Sequence, residues 1–425
     1  MTGHYIAVYA AFVKKNIIAM YPADTTFPVY CRACFFSDKW DALSYGKDYD
    51  FSRSFFSQFK ELQAKVPRIA LQVANSPSSE YVNQVLNCKN CYLINSGNDN
   101  EDCLYSFRIA QSKDSSDCFA VLKCEECYWA IASQHLSSSR FCDACFDSFN
   151  LSFCFDVTGS HDCFLTVGKR HASYMIRNRQ YTKEAYLSEM ERVDFGSRKN
   201  IAAYKKELDE LKLGFPHKYA QIKHSLNATG NHIVNSKNCR EVWYASDLEN
   251  CSYSIFLKDA KDSMDINNGC CTMWSNYEVC TMGVNAYNIK FSVDAWPEAY
   301  DQSYCDSCHD NAGNLFGSIG VSHKQYCILN KEYDKKSFEA LKAKIIEHMR
   351  KMPYEDKKGR IYRYGEFFPI ELSPFSYNET TAQEWFPLSE EAAIKEGYEW
   401  RKTKATHHII TKEGAKLPDH IKDAP

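Results

Sequence analysis

The stretch that decides the fold runs from Asn87 to Asp117: Asn87-Cys-Lys-Asn-Cys91-Tyr-Leu-Ile-Asn-Ser-Gly-Asn-Asp-Asn-Glu-Asp102-Cys103-Leu-Tyr-Ser-Phe-Arg-Ile-Ala-Gln-Ser-Lys113-Asp-Ser-Ser-Asp117. It aligns without a gap to Asn235–Asp265, at a constant offset of 148, and thirteen of the 31 pairs are identical. Lys89-Asn90-Cys91 meets Lys237-Asn238-Cys239, and Lys113-Asp114-Ser115 meets Lys261-Asp262-Ser263. The match resumes downstream at an offset of 152, where Tyr174-Met-Ile-Arg-Asn178 and Tyr181 pair with Tyr326-Cys-Ile-Leu-Asn330 and Tyr333. The second stretch has therefore gained four residues in between. A self-match of this length is the signature of a repeat architecture, so the chain reads as a tandem duplication.

A finer grain lies inside the first stretch, where a polar residue precedes each cysteine and an aromatic or leucine follows it. The series is Asn90-Cys91-Tyr92, Asp102-Cys103-Leu104, Asp117-Cys118-Phe119, Glu126-Cys127-Tyr128, Ala144-Cys145-Phe146, Phe153-Cys154-Phe155 and Asp162-Cys163-Phe164. Successive cysteines are 12, 15, 9, 18, 9 and 9 residues apart. Such spacings suit short strands and turns stacked in coils of roughly 18 to 27 residues, a parallel β-solenoid. Asn and Asp tolerate the left-handed backbone at corners, and small, usually buried Cys stacks inward. The neighbouring aromatic is expected to point outward, because side chains alternate along a strand.

Amphipathic helices are expected at Phe55–Lys65, Thr182–Val193, Lys199–Leu213, Ser337–Met352 and Ser389–Glu396, with Thr182, Asp334 and Ser389 as N-caps and Gly397 ending the last. They would cover the solenoid ends. The fold class is mainly β: tandem parallel β-solenoids with flanking capping α-helices. The boundaries are an N-terminal extension at 1–53, helix, solenoid and helix at 54–194 and again at 195–352, and a C-terminal extension at 353–425. Tyr174–Asn178 and Tyr326–Asn330 are each expected to be the last strand of a solenoid before a capped helix.

Length and charge narrow the classes further. The chain has 425 residues, 51 Lys+Arg against 54 Asp+Glu and a formal charge of -3, so no chain-wide attraction to nucleic acid or anionic lipid is expected. No run approaches the 18 or more apolar residues of a membrane span, and Tyr5–Val13 lacks the flanks of a signal peptide. A cytoplasmic protein with reduced thiols is expected, with no membrane partner.

The segments Phe27-Pro-Val-Tyr-Cys31-Arg-Ala-Cys34-Phe-Phe-Ser-Asp-Lys-Trp40, Tyr45-Gly-Lys-Asp-Tyr-Asp-Phe-Ser52, Ser373-Pro-Phe-Ser-Tyr-Asn378-Glu-Thr, Gln383-Glu-Trp-Phe-Pro387-Leu-Ser and Gly397-Tyr-Glu-Trp400 resemble a family of uncharacterised Cys-rich repeat proteins of environmental bacteria. The resemblance spans nearly the full chain. It implies zinc-ribbon-like knuckles at the termini and no particular reaction. This chain departs from it in having one such CxxC near its N-terminus.

Candidate chemistry follows from the cysteines and acids. Cys31 and Cys34 form half of a zinc site, whose other ligands would come from His4, from another chain or from elsewhere. Cys124-x2-Cys127-x14-Cys142-x2-Cys145 has near zinc-ribbon spacing, but the counterparts of Cys124 and Cys127 in the second stretch are Thr272 and Ser275, which favours a core role. Cys305-Asp-Ser-Cys308-His309 matches the haem-attachment pattern. Its look-alike Cys142-Asp-Ala-Cys145-Phe146 has no ligand there, and no haem is expected. Asp294, Trp296, Asp301, Asp306 and Asp310 would suit a polysaccharide-cleaving groove, and Lys351–Tyr364 a nucleic-acid contact. The favoured function is a non-catalytic binding or scaffolding protein, with a protein partner or self-association. The alternatives are a zinc-dependent nucleic-acid-binding protein and a β-helix carbohydrate-active enzyme. No catalytic residue is assigned.

Overall fold

A computed structural model of the chain describes residues 6–10, 15–122, 140–143, 145–402 and 417–423. It is mainly β, and its strands form two parallel β-solenoids accompanied by helices. Two compact units are present, one made of Met1–Leu71 with Tyr219–Arg401 and the other of Gln72–Lys218 with Lys402–Pro425. Each unit holds one solenoid.

The coil is shorter than the cysteine spacing suggests. In the unit beginning at Gln72, strand pairing advances by twelve residues, from Val73 to Val85, from Asn83 to Asn95 and on to Phe107 and Phe119, and again from Phe149 to His161 and Ser173. Coils of 18 to 27 residues are therefore corrected to 12. The reason lies in the backbone. From Asn87 to Asp117 every third residue is left-handed, with φ between 49° and 60°, which places four corners in each twelve-residue coil. The residue after each corner is turned inward: Cys88, Cys91, Ile94, Asn100, Cys103, Ser106, Ile109, Ser112, Ser115 and Cys118 are all buried. The side-chain period is three rather than the two of an ordinary strand, and the cysteine spacings are all multiples of three.

A left-handed conformation costs an ordinary residue about 1–2 kcal/mol. Asn and Asp, which adopt it most readily, fill six of these eleven corners. They also bond from coil to coil, as Asn87 Nδ2 does to Asp99 Oδ1 at 3.0 Å, Asn90 to Asp102 at 3.0 Å, Asn238 to Asn250 at 3.2 Å and Asn250 to Asp262 at 2.8 Å. The polar residue before cysteine is thus a corner residue, as its sequence pattern implies.

Each triplet has three amides to satisfy. The first goes to a carbonyl of the next coil, as Tyr92 N does to Cys103 O at 3.0 Å. The corner amide goes to the preceding coil, as Asp102 N does to Lys89 O at 2.9 Å. The third belongs to the inward residue and points into the interior, where a Ser, Asn or Cys side chain one coil earlier, when present, accepts it. Ser79 Oγ accepts from Cys91 N at 3.0 Å, Ser106 from Cys118 at 3.1 Å and Ser254 from Ile266 at 3.1 Å. Cysteine does the same, since Cys103, Cys154, Cys163 and Cys251 take the amides of Ser115, Thr166, Met175 and Ser263. Each of those thiols in turn donates to the carbonyl two residues before it, at 3.2 to 3.4 Å.

The second solenoid contains coils longer by one residue. Its coils keep the twelve-residue step from Arg240 to Ser252 and Met264. Lys261, Trp274, Tyr287, Tyr300 and Gly313 then pair in series at steps of thirteen, four steps with one extra residue each, before Gly313 pairs with Gln325 at twelve.

The helices are α1 (Arg32–Phe35), α2 (Phe55–Gln63), α3 (Lys183–Met190), α4 (Arg198–Leu213) and α5 (Lys335–Lys351), followed by two short ones at Ala382–Trp385 and Glu390–Lys395. Thr182, Asp334 and Ser389 accept the expected capping bonds, and Gly397 follows the last helix at φ 90°. Not every helix closes an end. Tyr204 of α4 lies on the rings of Phe153 and Phe164, 5.4 and 5.2 Å away, and α2 sets Phe55 and Phe56 against Tyr304, so both cover a side whose residues are aromatic.

Each solenoid ends in the same way. Ser173–Ile176 turns back on Arg179–Gln180 before α3, and Gln325–Ile328 on Lys331–Glu332 before α5. At the turn, Asn178 Oδ1 accepts from Val167 N at 2.8 Å, and Asn330 Oδ1 from Ile319 N at 2.7 Å. Asn330 is fully buried and also donates to Ala42 O at 3.0 Å and Ile319 O at 2.9 Å. Gly46 approaches it so closely that a Cβ would lie 2.4 Å from Asn330 O. Asn178→Ala is expected to cost about 1 kcal/mol and Asn330→Ala about 2–3 kcal/mol, because the latter strands more buried partners. Urea denaturation followed by circular dichroism measures both, and equal losses would contradict the difference.

Candidate functional site

The CxxC knuckle sits where the strand Val29–Tyr30 passes into α1. Cys31 O accepts from Cys34 N at 3.0 Å and Phe35 N at 2.9 Å, a tight turn that brings the two sulfurs to 3.2 Å. Cys31 is partly exposed and Cys34 buried. Trp40 Nε1 fixes the far end by donating to Phe35 O at 2.8 Å. Phe35 and Phe36 lie 5.5 and 5.0 Å from the ring of His309, whose Nδ1 is 2.8 Å from Asp310 Oδ2. His4 lies outside the described residues. Among the described residues no group of three His, Cys, Asp or Glu side chains is arranged to hold a metal, so a zinc at Cys31 and Cys34 would need ligands from beyond them.

Of the four-thiol candidate, Cys124 and Cys127 lie outside the described residues. Cys142 and Cys145 are interior triplet residues, at most 1 % exposed, donating to Arg140 O and Asp143 O at 3.3 and 3.4 Å. Burial pushes both thiols well above their usual range. Cys305 and Cys308 are likewise interior, on successive triplets, and donate to Ser303 O at 3.5 Å and Ser318 O at 3.4 Å. The CxxC spacing inside a solenoid is therefore one step of the three-residue period.

The five residues of the proposed groove are dispersed. Asp301 accepts from Asn288 one coil back, and Asp310 is engaged by His309. Trp296 covers Gly283, where a Cβ would lie 2.1 Å from its ring. Asp294 and Asp306 do come together, around a residue that the sequence reading passed over. Arg68 forms a buried ion pair with Asp306, and its guanidinium lies 4.9 Å from the ring of Phe27. Burial alone would lower the Arg68 pKa, but the Asp306 carboxylate and the Tyr21 hydroxyl outweigh it and raise it. Tyr21 is raised by desolvation, against the pull of Arg68. The visible signal was an arginine inside the apolar run Val66-Pro-Arg68-Ile-Ala-Leu71. Cys280, pushed up to about 11 by burial and the nearby Asp294, completes the cluster.

Asp294 is the group here that titrates near neutrality, since desolvation and then the Asp306 charge push it to about 7. A buried ion pair fastens the N-terminal segment to this solenoid, and breaking one partner of such a pair is costly. Because the folded pKa of Asp294 lies above its unfolded value of 3.8, its contribution to stability is full below about pH 4 and is lost as pH rises toward 7. Asp294→Asn is expected to raise the melting temperature at pH 8 and to leave it nearly unchanged at or below about pH 4. A gain of the same size at both pH values would mean that the carboxyl is not held protonated.

Neither a protein-family model nor a curated protein sequence matches this chain, so its function rests on the geometry of these coils and of the residues docked on them.

Proposed function

We propose that this is a non-catalytic binding or scaffolding protein, a duplicated Cys-rich β-solenoid that presents repeated side chains to a protein partner. What supports this reading above all is an exposed apolar stripe beside a charge ladder in the unit beginning at Gln72. Tyr81, Tyr92 and Tyr105 follow one another with ring centroids 5.5 and 5.7 Å apart, and they are 38, 40 and 54 % exposed. Leu104, bridged to Tyr92 across one coil, is 39 % exposed. One triplet away, Lys89 pairs with Glu101 at 2.7 Å and Lys113 with Glu101 at 3.8 Å. Tyrosine-rich apolar ground rimmed by charge is the composition of a recognition surface.

The duplication is part of the proposal. The ungapped match between Asn87–Asp117 and Asn235–Asp265, the shared twelve-residue step and the equal roles of Asn178 and Asn330 all support one ancestral coil stack copied once. So is a cytoplasmic setting, because interior thiols that donate to carbonyls and accept amides must stay reduced. No described helix is long and apolar enough to cross a membrane.

A photo-crosslinking residue in place of Tyr105 is expected to yield one discrete adduct, with a second copy of the chain or with one partner protein. Leu104→Glu, which puts a charge on an exposed apolar site and leaves the coil interior alone, is expected to abolish that adduct while the melting curve holds. A diffuse set of adducts, indifferent to Leu104→Glu, would refute the stripe as a binding surface.

A further inference from the structure

The two sulfurs of the knuckle stand closer together than a bound zinc would hold them. At Zn–S distances of 2.3 Å in a tetrahedral site, two thiolates stand about 3.8 Å apart. Those of Cys31 and Cys34 are at 3.2 Å, part of the way toward a disulfide at about 2.05 Å. The turn imposes this, because both Cys34 N and Phe35 N are bonded back to Cys31 O. Exposure divides the pair into two roles. Cys31 is open to a reagent, while Cys34, 8 % exposed, is reached chiefly through its partner. The interior thiols differ, each being engaged with a carbonyl inside its coil, as Cys103 and Cys154 are.

We propose that Cys31 and Cys34 form a reversible thiol–disulfide site that exchanges with low-molecular-weight disulfides. The Cys31 thiolate attacks one sulfur of the small disulfide, forming a mixed disulfide and expelling one small thiolate, which takes up the proton that Cys31 gave up. The Cys34 thiolate then attacks the Cys31 sulfur, closing the protein disulfide and releasing the second small thiol. Two protein thiols are oxidised, one small disulfide is reduced to two thiols, and the two electrons and two protons balance. Nothing in this step depends on the binding surface proposed above.

Sequence supplies a convenient reading of the outcome. Arg32 stands between the two cysteines, so trypsin separates them unless a disulfide joins the fragments. The full chain, freed of metal by a chelator, is incubated natively with oxidised glutathione, alkylated, digested and analysed by mass spectrometry. The expected result is a linked pair of peptides that falls apart on reduction. Cys34→Ser is expected to carry glutathione on Cys31, and Cys31→Ser to leave Cys34 unmodified, with melting curves confirming that both variants fold. The proposal is overturned if both cysteines of the wild-type chain remain alkylatable at every glutathione ratio. It is equally overturned if the purified chain holds one zinc per chain that disappears in Cys31→Ser, since those thiols would then be ligands.

Discussion

Every third amide of these solenoids points into the coil, away from both neighbouring backbones, and the rest of the structure follows from finding it an acceptor. A twelve-residue coil with four corners encloses little space. Space for inward side chains is therefore limited, yet the interior cannot be purely apolar without leaving amides unpaired. Serine meets both demands with one hydroxyl, which donates to the carbonyl two residues back and accepts from the coil ahead, as Ser106 does. A thiol meets them too, as a weak donor and weak acceptor that tolerates burial better. The crowding of cysteine is thus the consequence of a narrow coil that needs small, bifunctional side chains.

The outside obeys a second requirement, set by the left-handed corners. Asn and Asp hold many of them, some stacked in hydrogen-bonded columns such as Asn227, Asn238, Asn250 and Asp262. Aromatic residues hold several corners on which a helix or the N-terminal segment lies, as at Phe153, Phe291 and Tyr304. Phe291 and Tyr304 stack on successive coils at 4.9 Å. The buried pair of Arg68 with Asp306 marks one place where a covering segment is fastened.

Much of this could be read in the sequence, because the demands fall on residue types at fixed spacing. The solenoid, both closing motifs at Asn178 and Asn330 and the three N-caps were legible from local pattern alone. The coil length was not. Cysteine spacings of 9 to 18 residues were measured against a strand's alternation of two, whereas their common divisor of three was the period itself. The same misreading made Cys305-x2-Cys308 look like a cofactor motif, although two successive inward triplets generate it. Of the candidate groove, Asp294 and Asp306 lie together and Asp301 and Asp310 do not, since a thirteen-residue coil sends residues a few positions apart to different corners. Which acids Arg68 and Tyr21 meet was out of reach, because Asp294 and Asp306 stand more than two hundred residues away in the chain.

The central claim is that the interior thiols are hydrogen-bonding groups rather than apolar filling, and Cys154 tests it most directly. Its sulfur donates toward Ser152 O and Cys163 O, each at 3.4 Å, and accepts the amide of Thr166. In an ordinary apolar core, valine would replace a buried cysteine more cheaply than serine, which brings a hydroxyl into oil. Here the order is expected to reverse. Urea denaturation should find Cys154→Ser within about 1 kcal/mol of the parent chain, and Cys154→Val destabilised by about 1–3 kcal/mol through the loss of an acceptor for a buried amide. A valine variant as stable as the serine variant, or more so, would contradict the claim.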